Sequence, residues 1–258
     1  MTISLRSIHI RNPDALPDGF PFDVPVVRTL DEIALTSPVT ILVGENGSGK
    51  STLLEAIGSS ASLPTIGAIS IDRDETLAAA HDLARHLVLT WNKRSHRGFY
   101  LRSEDFFGFA LGTNRSISEL TELAETFEPG TYARDTVEEQ RNALVRQYGD
   151  LDARSHGESF FHVFARRITG DGLYLMDEPE VALSPQRQIA LIALIMDAVE
   201  LGAQFIIATH APMLMAIPNA QILVLSETGI APTPWEELEH VQLTRDFLTD
   251  PNLFLRHL

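Results

Sequence analysis

Residues Val39 to Leu54, VTILVGENGSGKSTLL, carry an apolar β-branched run into a glycine-rich turn and on into a helix-favouring stretch. The turn, Gly44-Glu45-Asn46-Gly47-Ser48-Gly49-Lys50-Ser51-Thr52, fits the pattern GxxxxGK[ST], whose residue types suit a polyphosphate. Gly44, Gly47 and Gly49 let the backbone wrap closely round such a ligand, because a side chain there would block the approach or demand an unfavourable φ. The loop N–H groups then point inward, and a helix opening near Lys50 adds its unpaired N–H groups and positive dipole end. Lys50 is placed to reach β- and γ-phosphates, and the Ser51 hydroxyl to ligate Mg²⁺.

A second chemical group closes the run Leu173-Tyr174-Leu175-Met176-Asp177-Glu178-Pro179-Glu180, an apolar strand that ends abruptly in carboxylates. Beside a phosphate loop, Asp177 would support Mg²⁺ and Glu178 would orient or deprotonate an attacking water. One strand further on, Phe205 to Thr209 leads into His210, which could hydrogen-bond a γ-phosphate. The histidines at 9, 81, 86, 96, 162, 240 and 257 have no metal-ligand spacing with one another and read as structural or exposed.

These residues need strands to place them. Leu173–Met176, Gln188–Leu201, Phe205–Ala208 and Ile222–Leu225 alternate between β-rich apolar runs and a helical pattern, which predicts an α/β fold with a largely parallel sheet. Ligand chemistry then falls at the carboxyl ends of the strands. Ile3–Ile10 reads as a strand, Asn12–Pro25 as a proline-rich loop, and Val26–Leu35 as a second strand or turn. Gly58–Gly67 reads as an exit from the core into an inserted lobe at 59–158. That leaves 1–58 and 159–234 as the core and 235–258 as a helical cap. In the lobe, Thr76–His86, Ile117–Phe127 and Ala133–Tyr148 read as helices. His86–Asn92 and Gly98–Ser103 read as a β-hairpin whose tip, Lys93-Arg94-Ser95-His96-Arg97, with Arg102 following, is the one concentrated basic patch. It would contact phosphates or simply be solvated. Phe20 and Phe22 would stack a base or anchor their loop.

The chain of 258 residues can bury a full core. Its net charge of −15 opposes non-specific nucleic-acid binding. The absence of cysteine excludes disulfides and cysteine-ligated metals and suits a reducing compartment. The first twenty residues lack a signal-peptide core, and Ile189–Val199 is too short and too interrupted by Asp197 to span a bilayer. A cytoplasmic protein without direct membrane insertion is expected.

GENGSGKS at 44–51, LYLMDEPE at 173–180 and the ATH ending in His210 together resemble the ABC-type ATPase superfamily. Ser155-His156-Gly157-Glu158 falls where that family's LSGGQ-type signature sits, with Arg154, His156 and Glu158 departing from it. DEPEVALSPQRQ at 177–188 is similar to soluble RecF-like and overcoming-lysogenization-type ATPases and to small stand-alone bacterial ATPases; Ser184 stands where transporter subunits carry Asp. The resemblance implies ATP and Mg²⁺ as ligands and an ATP-sandwiched homodimer. In that dimer Ser155 and Gly157 of one copy grip the γ-phosphate held by the other. Glu104 is the nearest counterpart of the family's metal-side Q-loop glutamine. Three uses of hydrolysis stay open: a DNA-linked ATPase in genome maintenance or phage defence, a transporter energiser, and a dimerisation switch acting on a protein partner.

Overall fold

The structure is a computed structural model that describes residues 3–65, 78–95, 97–102, 115–148, 161 and 164–256. Ser155 and Gly157 lie outside the described residues, as do Arg154, His156, Glu158 and Glu104.

The phosphate-loop strand β3 (Val39–Val43) is buried at every position. Parallel strands covered on both faces require such runs. Around it runs a six-stranded sheet in the order β5-β6-β7-β3-β8-β9. Its other strands are β5 (Gly98–Arg102), β6 (Gly172–Asp177), β7 (Ala203–Ala208), β8 (Gln221–Ser226) and β9 (Gly229–Pro232). All pairings are parallel except the β8–β9 hairpin at the edge. Side chains alternate as the pleat requires. Leu42, Leu173, Leu175, Ile206 and Ala208 face one core, which also holds Leu53, Leu54 and Ile57 of helix α2 (Lys50–Ala61). Val39, Ile41, Val43, Tyr174, Met176, Phe205 and Ile207 face the other, which holds Leu191 and Ile195 of the helix Pro185–Glu200.

A three-stranded antiparallel sheet, β2-β1-β4, adds to the first core. It comprises β1 (Leu5–Ile10), β2 (Glu32–Ala34) and β4 (Leu87–Trp91). Gln204 on β7, 1% exposed, pins it to the main sheet. Its Oε1 accepts from the Ser4 and Leu5 N–H groups at 3.0 and 2.7 Å, and its Nε2 donates to Leu5 O at 2.9 Å. A buried amide that satisfies three backbone groups fixes the angle between two sheets more tightly than apolar packing alone.

Several expectations change at this point. The stretch Val26–Leu35 divides into a short helix α1 (Pro25–Arg28) and β2. The expected hairpin is absent: β4 pairs with β1, whereas β5 pairs in parallel with β6. Phe99, Tyr100 and Leu101 are buried in succession, which a half-solvated hairpin strand cannot be but a parallel strand covered on both faces must be. The basic run therefore connects two sheets rather than tipping a hairpin. Lys93 Nζ pairs with Asp171 at 3.0 Å, and Arg102 lies at the far end of β5. Residues 87–91 and 98–102, assigned to the lobe on sequence, belong to the sheets. The expected helices are present among the described residues: α3 (Ala78–Ala84) precedes β4, and α4 (115–125) and α5 (Tyr132–Tyr148) follow β5. Pro185–Glu200 is α6, Pro212–Met215 is α7, Glu239–Thr249 is α8 and Asn252–Leu255 is α9.

Candidate active site

The carboxyl ends of β3, β6 and β7 lie side by side, with Leu42, Asp177 and Ala208 in adjoining register. Each strand hands its chain to the site through a different device.

After β3 the chain turns through the glycine-rich loop into α2. A Cβ on Gly44 would lie 2.5 Å from Leu225 O of β8, so this glycine serves close packing between loop and sheet. Gly47 needs its freedom for a φ of 84°, in open space. Gly49 needs both: its φ is 97°, and a Cβ would meet Val24 and Val26 at 2.4 and 2.5 Å. Gly49 is also the N-cap of α2 and makes no side-chain cap bond, so no cap side chain competes with an incoming anion for the helix's first N–H groups. Glu45, Asn46, Gly47 and Ser51 are exposed, Ser48 and Thr52 half-buried, and Lys50 buried. Lys50 Nζ donates to Gly44 O at 2.7 Å and Glu45 O at 3.0 Å. Burial pushes its ammonium pKa down, against the pull of Glu178, Asp177 and Glu180.

After β6 the chain turns abruptly. Asp177 accepts a hydrogen bond from Ser51, which brings two oxygen ligands together beside the loop. That donor set fits Mg²⁺, a hard cation bound through one or two protein oxygens together with phosphate oxygens. No group of three or more His, Cys, Asp or Glu that could hold a metal exists among the described residues. Burial raises the Asp177 carboxyl to about 6; the Ser51 bond pulls it down, Glu178 pushes it up, and Lys50 and Arg102 pull it down. Glu178 adopts the left-handed conformation, φ 48° and ψ 51°, at a cost of about 1–2 kcal/mol for a residue with a Cβ. Its N–H donates to Ala208 O at 2.9 Å, which ties the strained turn to β7. The turn lifts the Glu178 carboxylate out of the sheet, with its side chain 41% exposed.

After β7 comes His210, whose Nε2 stands 3.8 Å from Glu178 Oε1. Burial pushes the His210 pKa down, Lys50 adds to the shift, Glu178 opposes it and His240 adds slightly. Asp177, Glu178 and His210 therefore converge on Lys50 and Ser51.

Sequence reasoning missed three participants. Glu180 joins the β6 and β7 turns: its Oε1 accepts from Thr209 Oγ1 at 2.7 Å, His210 N at 2.7 Å and Ala211 N at 3.1 Å. Burial raises its pKa, the Thr209 hydroxyl and the backbone N–H groups of Glu180 and His210 pull it back, and Glu178 pushes it up slightly. The signal was a third carboxylate two residues past Glu178 that neither metal nor water chemistry needed. Arg102, directly opposite Asp177 in the β5–β6 register, has a side chain only 13% exposed and lies 3.7 Å from Glu55. His240, from the C-terminal cap, lies against His210. Ser184, on the loop where the transporter Asp would stand, caps α6 by accepting from Arg187 N at 3.4 Å. A cavity of about 600 Å³ opens between the phosphate loop, the β8–β9 turn and residues 237–240.

Known proteins match both halves of this site. A family described as "AAA domain" matches residues 26–61, and one described as "AAA domain, putative AbiEii toxin, Type IV TA system" matches 159–216. The cobalt import ATP-binding protein CbiO of Salmonella paratyphi A is 27% identical over 238 residues, covering 88% of this chain and 84% of that protein. The macrolide export ATP-binding/permease protein MacB of Bradyrhizobium diazoefficiens is 28% identical over 182 residues, 66% of this chain but 25% of that protein. A crystal structure of an ATP-binding cassette of an ABC transporter in its ADP conformation superposes with a TM-score of 0.48 at 17% identity, covering 98% of this chain and 97% of that one. The motifs, the α/β sheet that presents them and the curated relatives support an ABC-type P-loop ATPase. No helix among its described residues is long and apolar enough to cross a membrane.

Proposed function

We propose that the chain hydrolyses ATP at the meeting point of β3, β6 and β7, and that each site is completed by a second copy of the chain. The observation that carries this reading is the convergence of Lys50, the Ser51–Asp177 pair, Glu178 and His210 on one uncapped helix N-terminus. In this reading the amides of residues 44–52 and the Lys50 ammonium bind the phosphates. Lys50 exchanges its bonds to Gly44 O and Glu45 O for phosphate oxygens. Ser51 and Asp177 would hold Mg²⁺, which when bound neutralises charge on the β- and γ-phosphates. Glu178 orients a water and takes its proton as the water oxygen bonds to the γ-phosphorus and the bond to the bridging oxygen of ADP breaks. His210 stabilises the γ-phosphate oxygens.

The second copy supplies what a lone chain lacks. Glu45, Asn46, Gly47 and Ser51 are exposed, so the phosphates would face water on one side, and phosphoryl transfer gains from excluding it. Ser155 and Gly157 of the opposing copy are proposed to close that side, and Glu104 to approach the metal. Mixing tests this directly. Lys50→Ala disables a chain's own loop and Ser155→Arg disables what it lends to its partner, so each variant alone is inactive. A mixed pair contains one intact site, and mixing restores turnover if sites are shared. Failure to restore turnover contradicts the shared site.

As to the process served, the match to CbiO over most of both chains favours an ATPase that drives a membrane partner. The DNA-linked reading rested on the RecF-like DEPE pattern at 177–180 and on a basic hairpin; the pattern remains, but the hairpin does not form, since β4 pairs with β1 and β5 with β6. Stimulation of turnover by DNA would reinstate it, and co-purification with a membrane protein would support the transport reading. Slow turnover with ATP-dependent pairing and neither partner would favour a cytoplasmic dimerisation switch.

A further inference from the structure

His210 must present a particular ring nitrogen if it is to donate to a phosphate, and the structure shows what could select it. Its Nε2 faces Glu178 Oε1 at 3.8 Å, is buried, and has no hydrogen-bond partner among the described residues. Its Nδ1 lies 3.5 Å from His240 Nε2, with ring centroids 5.5 Å apart and planes inclined by 54°. Catalytic hydrogen bonds are often this long before substrate arrives. With its pKa pushed down by burial, Lys50 and His240 against Glu178, the His210 ring is neutral near pH 7 and carries one proton. A proton on Nδ1 would leave a lone pair on Nε2 facing the Glu178 carboxylate and an incoming phosphate, three acceptors together. A proton on Nε2 removes that conflict and leaves Nδ1 as an acceptor.

We propose that His240 is a positioning residue that donates its Nε2–H to His210 Nδ1 and so holds His210 as the Nε2–H tautomer, the form that donates to the γ-phosphate. The fold holds His240 in place to do this. It occupies the first turn of α8, where its neighbour Val241 is buried in the same core as Leu214 of α7. Just before α8, Trp235 Nε1 donates to Pro212 O at 3.2 Å, and the Arg245 guanidinium lies over the Trp235 ring. The C-terminal segment is thus docked on α7, the short helix that follows His210. The sequence suggested only a cap; the contact makes it part of the ATPase site. The inference deepens the reading of His210 given above and depends on it.

The test combines imidazole ¹⁵N chemical shifts of the nucleotide-free protein with steady-state kinetics, for wild type, His240→Ala and His240→Gln. The Gln amide still offers an N–H. Wild type is expected to show His210 protonated at Nε2, Ala to show a mixture of tautomers, and Gln to restore the wild-type pattern. In parallel, Ala should lower kcat on the order of 10-fold with KM within about twofold, and Gln should recover most of it. An unchanged tautomer and kcat in His240→Ala overturns the proposal. So does a Gln variant as impaired as Ala, which would make His240 a packing residue. Normal turnover in His210→Ala would overturn the underlying reading of His210, and the proposal with it. The tautomer spectra need no ATP, so they distinguish that failure from a failure of His240 to act on His210.

Discussion

The two halves of the site are built by different means. The phosphate-loop half is contiguous in sequence and consists largely of main chain: glycine conformations, the open N-terminus of α2, and one lysine folded back onto its own loop. The carboxylate and histidine half is assembled from three separate segments, and its side chains are held by contacts between those segments. Glu180 reaches Thr209 and His210, and His210 reaches His240. A site made of backbone is written as a local pattern of permitted residue types. A site made of side chains depends on which turns the sheet brings together.

The halves therefore break differently. Lys50→Ala should abolish nucleotide binding and lower turnover by about 10²–10³-fold, because no neighbouring cation in the loop replaces the lost phosphate contact. Equilibrium ATP binding and phosphate release check it. In the other half, Glu180→Ala removes the acceptor of Thr209 Oγ1 and of two N–H groups. It should cost about 3 kcal/mol, or roughly 6–12 °C of Tm for a domain this size. Glu180→Gln keeps an acceptor and should lose far less, as thermal melts would show.

A subtler effect comes from Asp177. Its carboxyl is raised to about 6 from the 3.8 of an unfolded chain, burial being the main cause. Between those values the folded state binds more protons than the unfolded one, so stability falls as pH rises through that window. In metal-free, nucleotide-free buffer, Asp177→Asn should therefore be more stable than wild type near pH 7.5, on the order of 2–3 kcal/mol. It should differ little near pH 4 and be inactive in turnover. Denaturant titrations at the two pH values measure this. The smallest effect belongs to Lys93, whose pair with Asp171 is exposed on both sides. Lys93→Ala should change stability by less than about 1 kcal/mol and leave turnover unaltered.

Legibility followed the same division. GxxxxGKS and the strand ending in Asp177-Glu178 stood out because a buried parallel strand is apolar throughout, so its first carboxylate marks its end. His210 was found by the same logic, one strand later. The sheet's parallel character followed from alternating runs, and α4 and α5 from helical spacing. The β4–β5 connection misled because two strands separated by a short basic turn read as a hairpin. Only long-range pairing shows β4 joining β1 and β5 joining β6. Glu180, Arg102 and His240 were not assigned roles for a related reason. A carboxylate that staples two turns, an arginine across a strand register and a histidine from a distant helix have no local signature. Their roles arise from contacts such as the one between His210 and His240.

The central claim is that Glu178 drives hydrolysis at a site that binds ATP without it. The most direct measurement is ATP binding and turnover by wild type and Glu178→Gln, with association followed by light scattering. The account predicts that Glu178→Gln binds ATP as tightly as wild type, loses turnover by at least about 10²-fold, and accumulates as an ATP-bound pair. Undiminished turnover in Glu178→Gln would contradict it.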